Sequence, residues 1–160
     1  MFTAPDPNYA QRVRDSFARQ PAMLLIGAQI SRIEPGLVEL TLSAKLELTQ
    51  QHGYLHGGFI GAIADTAGGY AGYTLFPADS SVLTVEYKLN LMAPGEGELF
   101  IAEGRVIKPG RTLCVVHGEV HAVSNGKPTL CAVMQQTLIV LAGRPDQPSI
   151  GTTAAGGEKT

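Results

Sequence analysis

Charge is scarce in this chain. Lys, Arg, Asp and Glu make up 16% of its 160 residues, and 12 cations against 14 acids leave a net charge of −2. That balance removes the electrostatic case for nucleic acid or an anionic membrane as a partner, since either needs a concentrated basic face. Cysteine is scarcer still. Cys114 and Cys131 are the whole complement, both in apolar stretches and without metal-ligand spacing, so they read as buried reduced thiols of a cytoplasmic protein. Met1 to Pro7 has no basic segment leading into an apolar run, so no signal peptide is expected. Neither a metal nor a cofactor is implied.

One long apolar run requires a membrane test. Gly58 to Phe76 is 19 residues with a single charge, close to the length of a spanning helix. The charge is Asp65, near the middle, where insertion costs roughly 2.5–3.5 kcal/mol. Five glycines and the lack of a basic flank count further against a span. The run is expected to be a helix wrapped by protein, and no membrane partner is expected.

What is present is apolar and rich in glycine. At 44% hydrophobic residues the chain is globular, of a size for one core, and the 19 glycines with so little charge suit a chain that buries surface against its own copies. Residues 1–142 are expected to form one domain and the Gly/Pro/Thr-rich 143–160 a flexible tail. Tyr9, Val13 and Phe17 recur every four residues, predicting a first helix over about 8–20, closed by Pro21. Leu37 to Ser43 alternates as a half-buried strand after the Pro35-Gly36 turn. The buried helix runs from Gly57 to about Phe76. Four strands follow, Ser81–Met92, Gly97–Lys108, Arg111–Val123 and Lys127–Leu141, separated by Pro/Gly or Asn-Gly turns and reading as an antiparallel meander. The order is α+β. One helix this apolar needs cover on every side, which predicts a sheet wrapped around it and an oligomer.

The chemistry is expected at the two ends of one stretch of that helix. His56-Gly57-Gly58 enters it, and a helix start offers unpaired N–H groups with partial positive charge. Glycine lets a substrate oxygen come close to them, which outlines an oxyanion hole centred on the Gly57 amide. A phosphate site uses the same physics, but its Lys-Ser/Thr or Gly-x-Gly-x-x-Gly signature is missing. Asp65 is the only charge in the buried run, and a buried carboxylate has either a partner or a task. Hydrogen bonds to backbone or hydroxyl groups, with Thr66 adjacent, would be the structural task. In a cleft, Asp65 would attack a carbonyl or take a proton from water. Eight residues separate Gly57 from Asp65, about 12 Å along a helix. One carbonyl cannot touch both, so a shared substrate requires Asp65 of one subunit and Gly57 of another, twice per two-fold dimer.

Gln50 to Gly58, with Asp65 eight residues after Gly57, resembles the PaaI-type acyl-CoA thioesterases of the hotdog superfamily. The resemblance continues through Leu83 to Pro94 and through Gly110-Arg111-Thr112, covering about residues 20–142. It implies a long central helix in a curled antiparallel sheet, assembled as homodimers or homotetramers with sites at the subunit interface, and hydrolysis of an aryl- or medium/long-chain acyl-CoA. By that likeness Asp65 is nucleophile or base and Gly57 polarises the thioester carbonyl. Gln50 matches an amide that helps hold carbonyl or water, and Thr84 a hydroxyl that positions water near the carboxylate. A hotdog dehydratase is disfavoured, because its His-Phe-Pro stretch and following glutamate are missing. A non-catalytic acyl-CoA-binding or regulatory domain is the other reading, and the retained Asp65 argues against it.

Further candidates are less specific. His56 and Gly58 at the helix entrance would orient substrate, or His56 would simply bond the turn. Lys108 and Arg111 flank Pro109-Gly110 and would meet CoA phosphates, or be a solvated turn. His117 and His121 share one face of a strand, but no carboxylate or thiol is seen to complete a metal set. His52 and Glu86 have no assignment. Phe59, Ile63, Tyr70 and Tyr73 would line an acyl pocket or pack the core.

Overall fold

Alternation governs the C-terminal half of the fold. The computed structural model describes residues 2–144 and Asp146. Four strands, β3 (Ser81–Leu91), β4 (Leu99–Lys108), β5 (Leu113–Ser124) and β6 (Lys127–Leu141), join two earlier ones, β1 (Gln29–Glu34) and β2 (Leu37–Ser43). The six form one antiparallel sheet in the order β1-β2-β4-β5-β6-β3. Every second residue faces inward: Phe100, Ala102 and Val106 of β4, Cys114, Val116, Val120 and Ala122 of β5, Ala132, Met134 and Leu138 of β6 are all buried. The meander is β4-β5-β6. β3 skips β4 and returns to pair with β6, so β3 is left as an edge.

The helix those inner faces enclose is α3 (Gly57–Tyr73), packed against β2 through β6. Ile60, Ile63, Ala64, Ala67, Tyr70, Ala71 and Tyr73 lie in the core. This is the hotdog arrangement. Close approach explains the small residues: a Cβ on Gly104 of β4 would stand 2.4 Å from the backbone of Ala67 and Gly68, so strand and helix touch backbone to backbone there. No helix among the described residues is long and apolar enough to cross a membrane.

The N-terminal elements and the end of α3 differ most from the sequence expectation. The first helix, α1, spans Tyr9–Phe17, and Pro21 does not end it but starts a second, α2 (Pro21–Ile26). Proline fits the first helical position, where its missing N–H costs nothing, and Gly27 closes α2 at φ 81°. β1 escapes the alternation because its register slips between Ile30 and Arg32. α3 stops at Tyr73, three residues early. There the Arg12 guanidinium of α1 donates to the carbonyls of Tyr73 (3.0 Å), Phe76 (2.9 Å) and Pro77, and stacks on the Tyr73 ring. The expected tail, residues 143–160, lies almost wholly outside the described residues.

Candidate active site

Asp65 sits mid-helix on the side of α3 that faces β3 and β6. Thr84 Oγ1 of β3 donates to Asp65 Oδ1 at 2.7 Å. Gln136 Nε2 of β6 also donates to Oδ1, and lies 3.1 Å from the Asp65 carbonyl oxygen and 3.0 Å from Thr84 Oγ1. Oδ2 has no partner among the described residues. Thr84 reaches the helix because β3 carries a bulge at Val85: Thr84 pairs with Leu138 and Tyr87 with Gln136, both inward positions of β6. Without the extra residue, Thr84 and Tyr87 would point to opposite faces.

A cleft of about 470 Å³ opens beside the carboxylate. Its walls include Asp65, Gly69 and Tyr70 of α3, Thr84 of β3, and Ser16 and Gln20 from the N-terminal region. The Tyr70 hydroxyl accepts from Gln20 Nε2 at 2.8 Å and lies 3.0 Å from Ser16 Oγ. Burial pushes the Tyr70 phenol up, against the opposing pull of those hydrogen bonds.

The helix entrance forms a different place. His56 is the N-cap of α3, and its Nδ1 accepts from Gly58 N at 2.9 Å. The Gly58 amide is therefore engaged, and His56 serves as the cap. The Gly57 amide donates to no acceptor among the described residues. It borders a second cleft, about 400 Å³, with Gln50, Ile60, Leu91 and Met92. Gln50 is set by its own turn: its Oε1 accepts from His52 N, and its carbonyl from Gly53 N, where φ is +85°. That leaves the Gln50 amide N–H groups as donors near Gly57. The two clefts have no lining residue in common. Within one chain, then, Asp65 and Thr84 are together, Gln50 and Gly57 are together, and the two pairs are apart.

The thioesterase superfamily model matches residues 52–129. A thioesterase family protein from Silicibacter pomeroyi is 47% identical, with a TM-score of 0.83 over 84% of this chain and 99% of its own. A protein of Saccharolobus solfataricus, provisionally named an esterase, is 32% identical over 128 residues, 80% of this chain and 83% of its own. The chain belongs to the thioesterase superfamily. It is accordingly an enzyme of thioester hydrolysis. The PaaI protein of the Escherichia coli phenylacetic acid degradation operon shares the fold, with a TM-score of 0.77 at 18% identity, covering 86% of this chain and 96% of that one.

Other candidates fall elsewhere on this thioesterase. Lys108 and Arg111 are exposed at the β4–β5 turn and border neither cleft. Ile63 and Tyr73 are core, Tyr70 lines the Asp65 cleft, and Phe59 packs on the core from its edge. Glu86 accepts from Thr137 Oγ1 at 2.6 Å, away from the helix. A carboxylate does stand between the two strand histidines: Glu119, 3.2 Å from His117 Nε2 and 3.9 Å from His121 Nε2. The three nevertheless do not make a metal site, and no such group occurs among the described residues. Both cysteines are buried and free.

Gln136 is the site residue that motif reading does not reach. Its signal lies in alternation: Ala132, Met134, Gln136, Leu138 and Val140 form the inward row of β6, and Gln136 is its one polar member. An amide 1% exposed in an apolar row has to be spent on a partner.

Proposed function

We propose that this thioesterase hydrolyses the thioester of an aryl- or medium/long-chain acyl-CoA to the free acid and CoA, at a site completed between two subunits. The observation that carries the reading is the separation of the two half-sites: a carboxylate with one free oxygen in one cleft, an unpaired helix-start amide in another, about 12 Å apart along the helix. The β3 edge supports the same reading. Leu83, Val85, Tyr87, Leu91 and Met92 are each about half exposed or more, and a long apolar edge strand left open is a pairing site. Pairing β3 with a two-fold copy of itself covers that edge and carries each Asp65 toward the partner's helix entrance. Homodimers of this kind can stack into homotetramers.

At the joined site, the Gly57 amide and the Gln50 side-chain N–H groups receive the thioester oxygen and stabilise the negative charge that develops on it. In the general-base route, Asp65 Oδ2 takes a proton from water as its oxygen bonds the acyl carbon. The tetrahedral adduct then expels CoA sulfur, which leaves as the thiol with the proton from Asp65. In the nucleophilic route, Oδ2 bonds the acyl carbon first, CoA leaves, and water cleaves the resulting anhydride. Thr84 holds the carboxylate in either case. Single-turnover hydrolysis in ¹⁸O-water separates them, because only the anhydride route can leave label in Asp65.

Complementation tests the interface. Asp65→Asn should lower kcat by about 10²–10⁴-fold. Gly57→Pro removes the amide proton at a first helical position that tolerates proline, and His56, at φ −62° and ψ 135°, already has the backbone a following proline prefers. A heterodimer of the two inactive chains should regain one working site of the two. Failure of purified heterodimer to regain activity would refute assembly across the interface.

A further inference from the structure

We infer that Gln136 is a positioning residue for Asp65, fixing which carboxylate oxygen reacts, and that Gly68 exists to make room for it. The inference rests on the assignment of Asp65 proposed above. Gln136 is 1% exposed, and its Nε2 is shared among Asp65 Oδ1, the Asp65 carbonyl and Thr84 Oγ1. Thr84 donates to that same Oδ1. Two donors on Oδ1 and none on Oδ2 leave the carboxylate asymmetric: Oδ1 is spent on the protein, and Oδ2 is the unbonded oxygen of a residue that borders the cleft. A carboxylate rotating freely about its Cβ–Cγ bond would present either oxygen at varying angle. One bonded twice at a single oxygen presents the other in one orientation, which is what a reacting group requires.

The arrangement is kept at a cost to stability. Gln136 Oε1 is buried without a hydrogen-bond partner, and burying an unsatisfied carbonyl is unfavourable. It faces Gly68, where a Cβ would lie 2.0 Å from it. An apolar side chain at 136 would match Met134 and Leu138 and leave nothing unsatisfied. Retention of an amide that folding alone disfavours, on the one carboxylate of the helix, assigns it to the chemistry.

The test is Gln136→Met, of similar length and unable to donate. The expected result is kcat lowered by about 10–100-fold, the range found when the outer-shell groups that orient metal-ligating side chains are lost, with KM within about two-fold of wild type and a melting temperature equal or higher. A residue serving structure alone would give the opposite split, with melting temperature lowered and kcat retained in the folded protein, and that outcome overturns the inference. Thr84→Val combined with Gln136→Met should cost less than the product of the single losses, because both hold one oxygen. Full multiplicativity also counts against it. If Gln136→Met does not fold, Gly68→Ala, whose methyl displaces the amide, should show the same fall in kcat with KM held, and an unchanged kcat overturns the inference. Asp65→Asn measured alongside separates the two levels. Activity surviving that change removes the reading of Asp65 itself, whereas its loss with an unmoved Gln136→Met removes the role of Gln136 alone.

Discussion

Three glycines of α3 share one backbone geometry and differ only in what a methyl group would meet, which makes them an internal control for the packing of this fold. Alanine is favoured over glycine in a helix by about 1 kcal/mol, whatever the position. At Gly69 a Cβ would meet nothing within 4 Å, so Gly69→Ala should keep the whole gain. At Gly72 it would lie 2.3 Å from Leu138 Cδ1, with Phe76 and Cys114 closing the other sides. Leu138 is fully buried and has nowhere to retreat, so an overpacking penalty of about 1–3 kcal/mol outweighs the propensity gain. At Gly68 the methyl meets Gln136 Oε1, displaces the amide and breaks the bonds that Nε2 donates to Asp65, at about 1–3 kcal/mol for the buried groups left unpaired. For a chain of this size about 1 kcal/mol moves the melting temperature by roughly 2–4 °C. Thermal unfolding at one fixed protein concentration should therefore place Gly69→Ala above wild type, and Gly72→Ala and Gly68→Ala below it. The stabilised variant should also be the poorer enzyme for bulky acyl groups, because Gly69 borders the Asp65 cleft and its new methyl points into it. A Gly69→Ala protein that melts below wild type, or a Gly72→Ala protein that melts above it, would refute the packing around α3 described here.

Arg12→Met should lower stability by about 2–3 kcal/mol while leaving kcat/KM intact below the transition, since the guanidinium caps carbonyls at the end of α3 and pairs with Asp6 at 3.2 Å, far from Asp65; urea titration with parallel kinetics reads both. Burial raises the Cys114 thiol to about 11 and raises Cys131 in the same direction. An acid whose folded pKa is raised favours the folded state below the unfolded value of 9.0 and loses that advantage above it, so stability should fall as pH rises from about 9 towards 11. In a Cys114→Ala variant, itself compared at pH 7, that alkaline slope should flatten.

Periodicity made α3 and β2 through β6 legible because each buries one face or one whole surface, and burial is what composition records. It failed at α2 and β1 for a common reason. α2 is six residues long with Leu24 and Leu25 exposed, and β1 is an edge strand whose register slips, so neither imposes a clean apolar row. Pro21 misled in a definite way: proline ends one helix and begins another equally well, and only the chain beyond it decides which.

The site divides along the same line. Asp65 and Gly57 could be found because each breaks a rule within its own segment, a charge in an apolar helix and glycines at a helix start. The partners of Asp65 are defined by pairing, and Thr84 was reached only through the family resemblance. Thr84 reaches the helix through a bulge, which shifts the inward row by one residue without leaving a mark in the amino-acid types around Val85. Gln136 was open to discovery by alternation alone, yet its reason for being there is 71 residues away in the chain, at the Asp65 carboxylate. The helix spacing carried more than either. Eight residues of helix separate Gly57 from Asp65 by a fixed length that a thioester carbonyl is too small to bridge, so the proposed action of both residues on one substrate would require a second subunit. An edge strand left apolar and unpaired beside Asp65 is what that dependence requires of the surface, and β3 meets it.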